Sequence, residues 1–421
     1  MKRFLCMGLL LVLLVSLMAC GEPKVEEPAW KGQFAVGFGR ADVTPTFPTE
    51  MKGYGAAGSG PRTSEGALNY LYITCLAFTD EADNTVLLYT YDHKSFKAAD
   101  VDKLRTAVSE ATGIAMENII ISATHTHSAP ELGDNRYLQI ATQGAVKAAT
   151  DALADREAAT WEYTSATLEN MTFVRHYVTS TGVVVGDNFH PEGAGQRVSH
   201  TTEADKEMRL IRILREGKKP ILMVNWLGHN SLASTGRTEY GKANRNLLSS
   251  DFVGFCRTYV ESNYDCLFAM YMGAGGNVNP TGLLINEPGQ TTAIAYGEQL
   301  GKHILTAVQT MSAGQTGGIR HAISQFQGVK STFDIHAFGM GSLGVITAPV
   351  EMFDTTSMAI REDSPYEITF VLTIANGHYG YLPTEICYDY DGCYEVGGGF
   401  ARGDAERIVG DYLALLKQTK E

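Results

Sequence analysis

Short apolar runs and amphipathic stretches follow one another along the chain from residue 34 onward. Runs rich in β-branched residues predict buried strands, and apolar residues at helical spacing predict helices. Predicted strands occupy residues 34–45, 68–79, 84–91, 119–127, 158–166, 208–214, 220–226, 343–348 and 367–375. Predicted helices occupy residues 97–112, 136–154, 249–261, 291–311 and 401–418, and residues 176–204 predict a long loop. Because strands and helices occur in mixed runs, we expect one α/β (α+β) domain with layered, mixed β-sheets.

Four predicted strands are followed by side chains that can bind a metal. These side chains are His125 with His127, His229, Glu351 and Tyr381. Sites in layered α/β proteins gather at the carboxyl ends of strands, and two histidines with one carboxylate form a common catalytic zinc set. On a strand, the i, i+2 spacing of the first pair would point both imidazoles to one face. For any single residue an ordinary hydrogen-bonding role is the alternative, and the recurrence of the pattern favours a site.

The first twenty residues predict an export signal and not a part of the fold. Two basic residues precede an apolar segment that ends in a small residue and Cys20. This arrangement resembles a bacterial lipoprotein signal, in which the cysteine is lipidated, and an ordinary signal peptide cut nearby is the alternative. Residues 21–33 predict a tether and residues 34–421 the folded domain. We therefore expect an exported protein of the cell envelope, held to a bacterial membrane through Cys20.

Composition narrows the classes of partner. The 421 residues carry a formal net charge of −13, and 44% of them are hydrophobic. Such a chain can build a large core, and its acidic balance argues against binding to nucleic acid. Cys256 with Cys266, and Cys387 with Cys393, are close enough in sequence to form disulfides in an oxidising compartment. Reduced cysteines in the core are the alternative, and nothing in the sequence predicts the oligomeric state.

Six segments in the same order carry a resemblance to a known family. They are GFGRADVTP at 37–45, HTHSAP at 125–130, NLLSSDFVG at 246–254, GAGGNVNP at 273–280, NGHYGYLPT at 376–384 and CYEVGG at 393–398. These segments are similar to motifs of the neutral (alkaline, non-lysosomal) ceramidases, which hydrolyse the amide of ceramide with one zinc. The resemblance implies that His125, His229, Glu351 and Tyr381 bind one Zn²⁺ per chain.

The same resemblance places His127, Ser249 and Tyr394 around the scissile amide. Amide hydrolysis needs an activated oxygen nucleophile, donors to the oxyanion and an acid for the leaving amine. Zinc-activated water or Ser249 could supply the nucleophile, and we favour water because no clear Ser–His–Asp relay is present. We expect His127 and Tyr394 to donate to the oxyanion. Asp251 is expected to orient neighbouring groups or to favour the helix N-terminus, and a helix N-cap is the alternative role of Ser249.

Departures from the family motifs bear on the substrate. Ser250-Asp251-Phe252 replaces Gly-Asp-Asn, Asn277 replaces Asp, and Asn230 replaces Pro. The C-terminal β-sandwich of the family is also expected to be missing. We expect a zinc-dependent amidohydrolase that cleaves the N-acyl amide of ceramide or a related amphiphilic N-acyl lipid to a fatty acid and a long-chain amine. A zinc hydrolase of non-lipid amides or esters, and a non-catalytic ligand-binding lipoprotein, are the alternatives.

Overall fold

The computed structural model describes residues 28–53, 62–186, 195–235, 245–281 and 292–420. The predicted signal at residues 1–20 and most of the predicted tether lie outside these ranges. The described residues contain six α-helices: α1 (Ala98–Thr112), α2 (Asn135–Ala154), α3 (Asp251–Asn263), α4 (Ala293–Ala307), α5 (Asp354–Glu362) and α6 (Asp404–Lys420). Among these residues, no helix combines the length and apolar character needed to span a membrane.

The larger sheet has nine strands. They are β1 (Ala35–Asp42), β5 (Tyr72–Thr79), β6 (Thr85–Tyr91), β7 (Ile119–Ala123), β9 (Glu157–Thr167), β14 (Glu207–Arg215), β15 (Ile221–Trp226), β17 (Leu267–Met272) and β19 (Ser312–Ala313). Their order is β17-β15-β14-β9-β1-β5-β6-β7, with β19 beside β9. The pairs β15–β17 and β6–β7 are parallel and the other pairs antiparallel, so the sheet is mixed as predicted.

A second sheet of four strands contains β20 (Ile319–Gln327), β21 (Thr332–Met340), β22 (Leu343–Ala348) and β24 (Ile368–Thr373), in that order. The remaining strands are short: β2 (Glu50–Lys52), β3 (Arg62–Thr63), β4 (Gly66–Ala67), β8 (Ala129–Pro130), β10 (Thr172–Val174), β11 (His176–Thr179), β12 (Val184–Gly186), β13 (Arg197–His200), β16 (Leu247–Leu248), β18 (Val278–Pro280), β23 (Glu351–Met352) and β25 (Tyr381–Leu382). The predicted long loop at 176–204 therefore includes β11, β12 and β13.

The two large sheets face each other and helices cover their outer faces. One apolar cluster joins alternate residues of both sheets, for example Val36, Leu76, Val345 and Phe370. Other clusters join the outer face of the larger sheet to α1 and α2 and to α3 and α4, and the second sheet to α5 and α6. Strands buried on both faces are apolar at almost every position, which explains the continuous hydrophobic runs in the sequence. The layered α/β prediction is confirmed.

Candidate metal centre

The histidine pair lies in the loop that follows β7. This strand ends at Ala123, and His125 has a left-handed backbone with φ of +65°. The expectation that both histidines lie on the strand is therefore wrong, because strand geometry ends before them. The rings of His125 and His127 nevertheless converge, with centroids 4.7 Å apart. The loop, and not the two-residue period of a strand, brings the two imidazoles together.

A third imidazole joins them from the loop after β15. The Nε2 atom of His229 lies 3.1 Å from Nε2 of His125 and 3.1 Å from Nε2 of His127. The Nε2 atoms of His125 and His127 are 3.3 Å apart, and all three side chains are buried. Nitrogen ligands of a tetrahedral zinc lie roughly 3.3 Å from one another, given Zn–N bonds of about 2.0–2.1 Å. The three histidines therefore converge at the spacing that a zinc ion needs.

Backbone carbonyl groups set the orientation of two of these rings. Nδ1–H of His125 donates to the Lys94 carbonyl at 2.8 Å, and Nδ1–H of His229 donates to the Gly275 carbonyl at 3.2 Å. Each contact leaves the Nε2 lone pair facing the centre, as is usual for metal-binding histidines. Burial lowers the pKa of all three imidazoles, so they are neutral and able to bind a cation.

Glu351 supplies a buried carboxylate at the start of β23. Its Oε2 atom lies 3.3 Å from His125 Nε2 and accepts no hydrogen bond from any described residue. Its Oε1 atom accepts a hydrogen bond of 2.8 Å from His378 Nε2. Burial opposes ionisation, but the hydrogen bond from His378 holds the pKa of the Glu351 carboxyl well below its usual range. A buried anionic oxygen without a donor is costly, so this atom also fits a cation ligand.

We call His125, His127, His229 and Glu351 the histidine centre. Neutral imidazole nitrogens and one carboxylate oxygen suit a divalent transition metal, and zinc in particular. The predicted division between His125 as ligand and His127 as substrate contact is not visible in these distances, because the three nitrogens all lie 3.1–3.3 Å from one another. His378, which contacts Glu351, is a neighbour of the centre that the sequence did not reveal, although it lies within the NGHYGYLPT segment.

Tyr381 lies beside Glu351, and Tyr394 packs against Tyr381. Tyr381 is the register partner of Glu351 in the parallel pair β23–β25. Its ring makes an edge contact with that of Tyr394 at a centroid distance of 5.4 Å. The guanidinium of Arg175, which is 1% exposed, lies 5.3 Å from the Tyr381 ring and 5.1 Å from the Tyr394 ring. Sequence reasoning missed Arg175, because no motif or spacing connects it with residues so distant in the chain.

Ser249 contacts the backbone of the histidine loop. Its N–H donates to the Ser128 carbonyl at 2.8 Å, and its carbonyl accepts the Thr126 hydroxyl at 2.6 Å. The Ser249 hydroxyl donates to Asn69 Oδ1 at 2.9 Å and accepts the Asp251 N–H at 2.9 Å. Neither hydroxyl partner is a base, so these contacts contain no Ser–His–Asp relay. The helix starts at Asp251, two residues later than predicted.

The Asp251 carboxylate contacts backbone N–H groups. Its carboxylate accepts the N–H groups of Ala233 and Phe252 at 2.7 Å each. Ala233 begins a 3₁₀ turn in the segment that follows His229. Burial raises the pKa of the Asp251 carboxyl to about 7, against the effect of these backbone donors. Asp251 therefore holds the backbone at the start of α3 and in the segment that follows His229.

Comparisons with known proteins identify the fold and the family. A profile of the family described as "Neutral/alkaline non-lysosomal ceramidase, N-terminal" matches residues 34–270. The crystal structure of neutral ceramidase from Pseudomonas aeruginosa is similar with a TM-score of 0.69 and 14% identity, over 92% of this chain and 75% of that one. A structure of a ceramidase complexed with C2 has a TM-score of 0.72, 14% identity and the same coverage. The sequence matches no curated protein. At this identity the two structures establish a shared fold, and the profile match shows that the chain belongs to the neutral/alkaline non-lysosomal ceramidase family.

Proposed function

We propose that the protein is a zinc-dependent amidohydrolase that cleaves the N-acyl amide of ceramide or a related N-acyl lipid, releasing a fatty acid and a long-chain amine. Membership of the ceramidase family supports a hydrolase of the ceramidase type. The observation that carries the zinc proposal is the convergence of three buried Nε2 atoms, 3.1–3.3 Å apart, beside a carboxylate oxygen that lacks a hydrogen-bond donor among the described residues.

In this proposal His125, His229 and Glu351 hold the zinc, and Tyr381 supplies a further oxygen. Each of the first three has a contact typical of a metal ligand: a carbonyl on Nδ1 of both histidines, and His378 on the carboxylate. Bound zinc supplies a Lewis acid that polarises a carbonyl group and promotes ionisation of water.

His127 and Tyr394 then face the reacting amide. His127 Nε2 lies within 3.3 Å of both histidine ligands, so a group held there is next to the carbonyl that the ligands position. The Tyr394 hydroxyl is the second oxyanion donor. The Arg175 guanidinium beside both tyrosine rings fixes their orientation. Ser249 and Asp251 hold the two loops that carry the histidines.

Metal analysis of single variants tests this assignment. His125→Ala should remove zinc from the histidine centre and abolish hydrolysis, whereas His127→Ala should keep the zinc and lose rate. His303→Ala, on α4 and away from the centre, is the matched control and should change neither property. Loss of zinc from His127→Ala would make His127 a third nitrogen ligand. A wild-type protein without zinc, unchanged by His125→Ala, would end the proposal.

A substrate panel tests the reaction. Fluorogenic ceramides, N-acyl amino acids and short acyl esters should be compared with zinc-loaded protein at equal concentration. Preference for ceramides, measured as kcat/KM, supports the proposal. Preference for the esters or for non-lipid amides would redirect it to another substrate of the same centre, and binding without turnover of any of them would indicate a ligand-binding lipoprotein.

Export and lipid anchoring complete the proposal, since an amphiphilic substrate resides in membranes. Cys20 lies outside the described residues, so the support comes from the sequence alone. Fractionation of cells that express the full chain should recover the protein with membranes. Cys20→Ser should abolish incorporation of a labelled fatty acid, and wild-type protein without such incorporation would contradict lipidation at this position.

A further inference from the structure

Two cysteines and a histidine form a second buried group of metal-binding side chains. The ligand atoms of His176, Cys387 and Cys393 lie within 4.8 Å of one another, and all three residues are buried. We call these three residues, with Glu395, the thiol cluster. His176 begins β11, Cys387 lies in the 3₁₀ turn Glu385–Asp389, and Cys393 directly precedes the 3₁₀ turn Tyr394–Gly397.

Glu395 adds a carboxylate to this group. Its Oε2 atom accepts the Cys393 thiol at 3.1 Å, and its Oε1 atom lies 3.4 Å from His176 Nε2. The Glu395 side chain is 0% exposed. A buried carboxylate therefore adjoins the Cys393 sulfur and the His176 nitrogen of this group.

We infer that the thiol cluster is a second metal site, which binds zinc or a cation of similar softness through His176, Cys387 and Cys393, with Glu395 as the fourth donor. Two thiolates with an imidazole select zinc among the common divalent cations. Four protein donors close the coordination sphere, which is the arrangement of structural zinc sites.

The charges of the pocket also fit a bound dication. Two thiolates neutralise the cation, and Nε of Arg175 forms an ion pair of 3.0 Å with Glu395 Oε1. Every buried charge then has a partner, and unpaired charges in such a pocket would be costly. Phe353 and Tyr390 enclose the imidazole, at ring distances of 5.7 Å and 5.4 Å from His176. Because these aromatic rings enclose the imidazole, the site suits a permanently bound ion and not the turnover of a substrate.

The position of the cluster gives the metal a structural task. It joins β11 to the chain segment from Cys387 to Glu395. Arg175 directly precedes His176, and Tyr394 lies between Cys393 and Glu395. A metal that fixes His176 and Cys393 therefore also fixes the backbone of Arg175 and Tyr394, which lie next to them in the chain.

Cobalt substitution separates this site from the histidine centre. The full-length protein, reduced and loaded with Co²⁺, should show the near-ultraviolet thiolate-to-cobalt charge-transfer band and the strong visible bands of tetrahedral cobalt. Donors of the histidine centre are nitrogen and oxygen, so they give no thiolate band. His125→Ala should keep the band, and Cys387→Ser should lose it. This result does not depend on the proposed hydrolysis.

Zinc stoichiometry gives the second measurement. Wild-type protein should bind one more zinc than Cys387→Ser, and Cys266→Ser is the matched cysteine control that keeps wild-type content. Cys387→Ser could fail to fold, so the cobalt spectrum of the wild-type protein is by itself a sufficient test of the second metal site. Absence of the thiolate band from reduced wild-type protein would overturn the inference. So would a Cys387–Cys393 disulfide found by peptide mapping of the protein isolated from its exporting host without reductant.

Discussion

The histidine centre and the thiol cluster are both buried groups of ligand atoms, but their donor atoms differ in chemistry. The histidine centre joins neutral nitrogens and one carboxylate from loops that follow strands of both large sheets. The thiol cluster takes two of its donors from short 3₁₀ turns close together in the chain. The first has the partly exposed Tyr381 at its side, whereas the second is walled by buried Phe353. An open coordination position suits catalysis, and a closed one suits structure.

Arg175 connects the two regions. Its Nε atom pairs with Glu395 of the thiol cluster, and its guanidinium faces the rings of Tyr381 and Tyr394 beside the histidine centre. The Arg175 side chain is 1% exposed, so both sets of contacts are buried. In our proposals the histidine centre carries out the chemistry, and the thiol cluster keeps the neighbouring Arg175 and Tyr394 aligned. Experiments that affect one region and leave the other unchanged test this division.

The largest effect is expected from His229→Ala. Loss of this nitrogen should remove the metal from the histidine centre and lower kcat/KM by at least about 10³-fold, because a Lewis acid contributes several kcal/mol to the transition state. The rate on the best substrate of the panel and the metal content check this. The thiolate-to-cobalt band should persist. If the band disappeared together with activity, the two regions would not be independent.

Tyr394→Phe should have the next largest effect, on rate alone. The variant keeps the ring that contacts Tyr381 and Arg175 but removes the hydroxyl. Loss of one oxyanion donor typically lowers kcat by about 10²-fold or more. Zinc content and the melting temperature should match those of wild type, since the packing is retained. Tyr390→Phe, beside the thiol cluster, is the control. A Tyr394→Phe enzyme with wild-type kcat would remove Tyr394 from the chemistry.

His378→Asn should weaken the metal and not the fold. His378 donates to the Glu351 oxygen that does not face His125, so it orients the carboxylate. Loss of such a contact lowers metal affinity by roughly 10–100-fold. Competition with a chelator of known affinity measures the change at the histidine centre, and the thiol cluster should be unaffected. Unchanged zinc affinity would mean that Glu351 is held in place without this imidazole.

The sequence predicted the histidine centre more fully than its surroundings. Strands buried on both faces are continuous apolar runs, so the residues that follow them could be located without a structure. The left-handed backbone of His125 could not be predicted, because nothing in a histidine at this position requires a positive φ. His378 was missed since its role depends on the distance to Glu351, which only the packing of β23 against β25 sets.

Only part of the thiol cluster could be predicted from the sequence. The short separation of Cys387 and Cys393 in sequence suggested a disulfide, whereas both are free thiols in the structure. His176 lies far away in sequence, in a segment predicted as a loop, and β11 carries it to the two sulfurs. Residues that are close in sequence can be paired from their spacing. A third ligand from another part of the chain can be identified only from the folded structure. The same reason explains why Arg175 was not identified.

The smallest effect is expected from Ser249→Ala, and it decides the nucleophile. The Ser249 hydroxyl bonds to the Asn69 amide oxygen and to the Asp251 N–H, and neither can take its proton. If water is the nucleophile, Ser249→Ala loses only these two hydrogen bonds, each worth about 1 kcal/mol, and kcat falls by roughly 30-fold at most. Single-turnover kinetics with trapping of an acyl-enzyme give an independent measurement. Ser249→Cys should form no thioester in the same assay. A loss as large as that of His229→Ala, with zinc retained, would instead place the covalent step on Ser249 and require a base that the hydroxyl reaches only when substrate is bound.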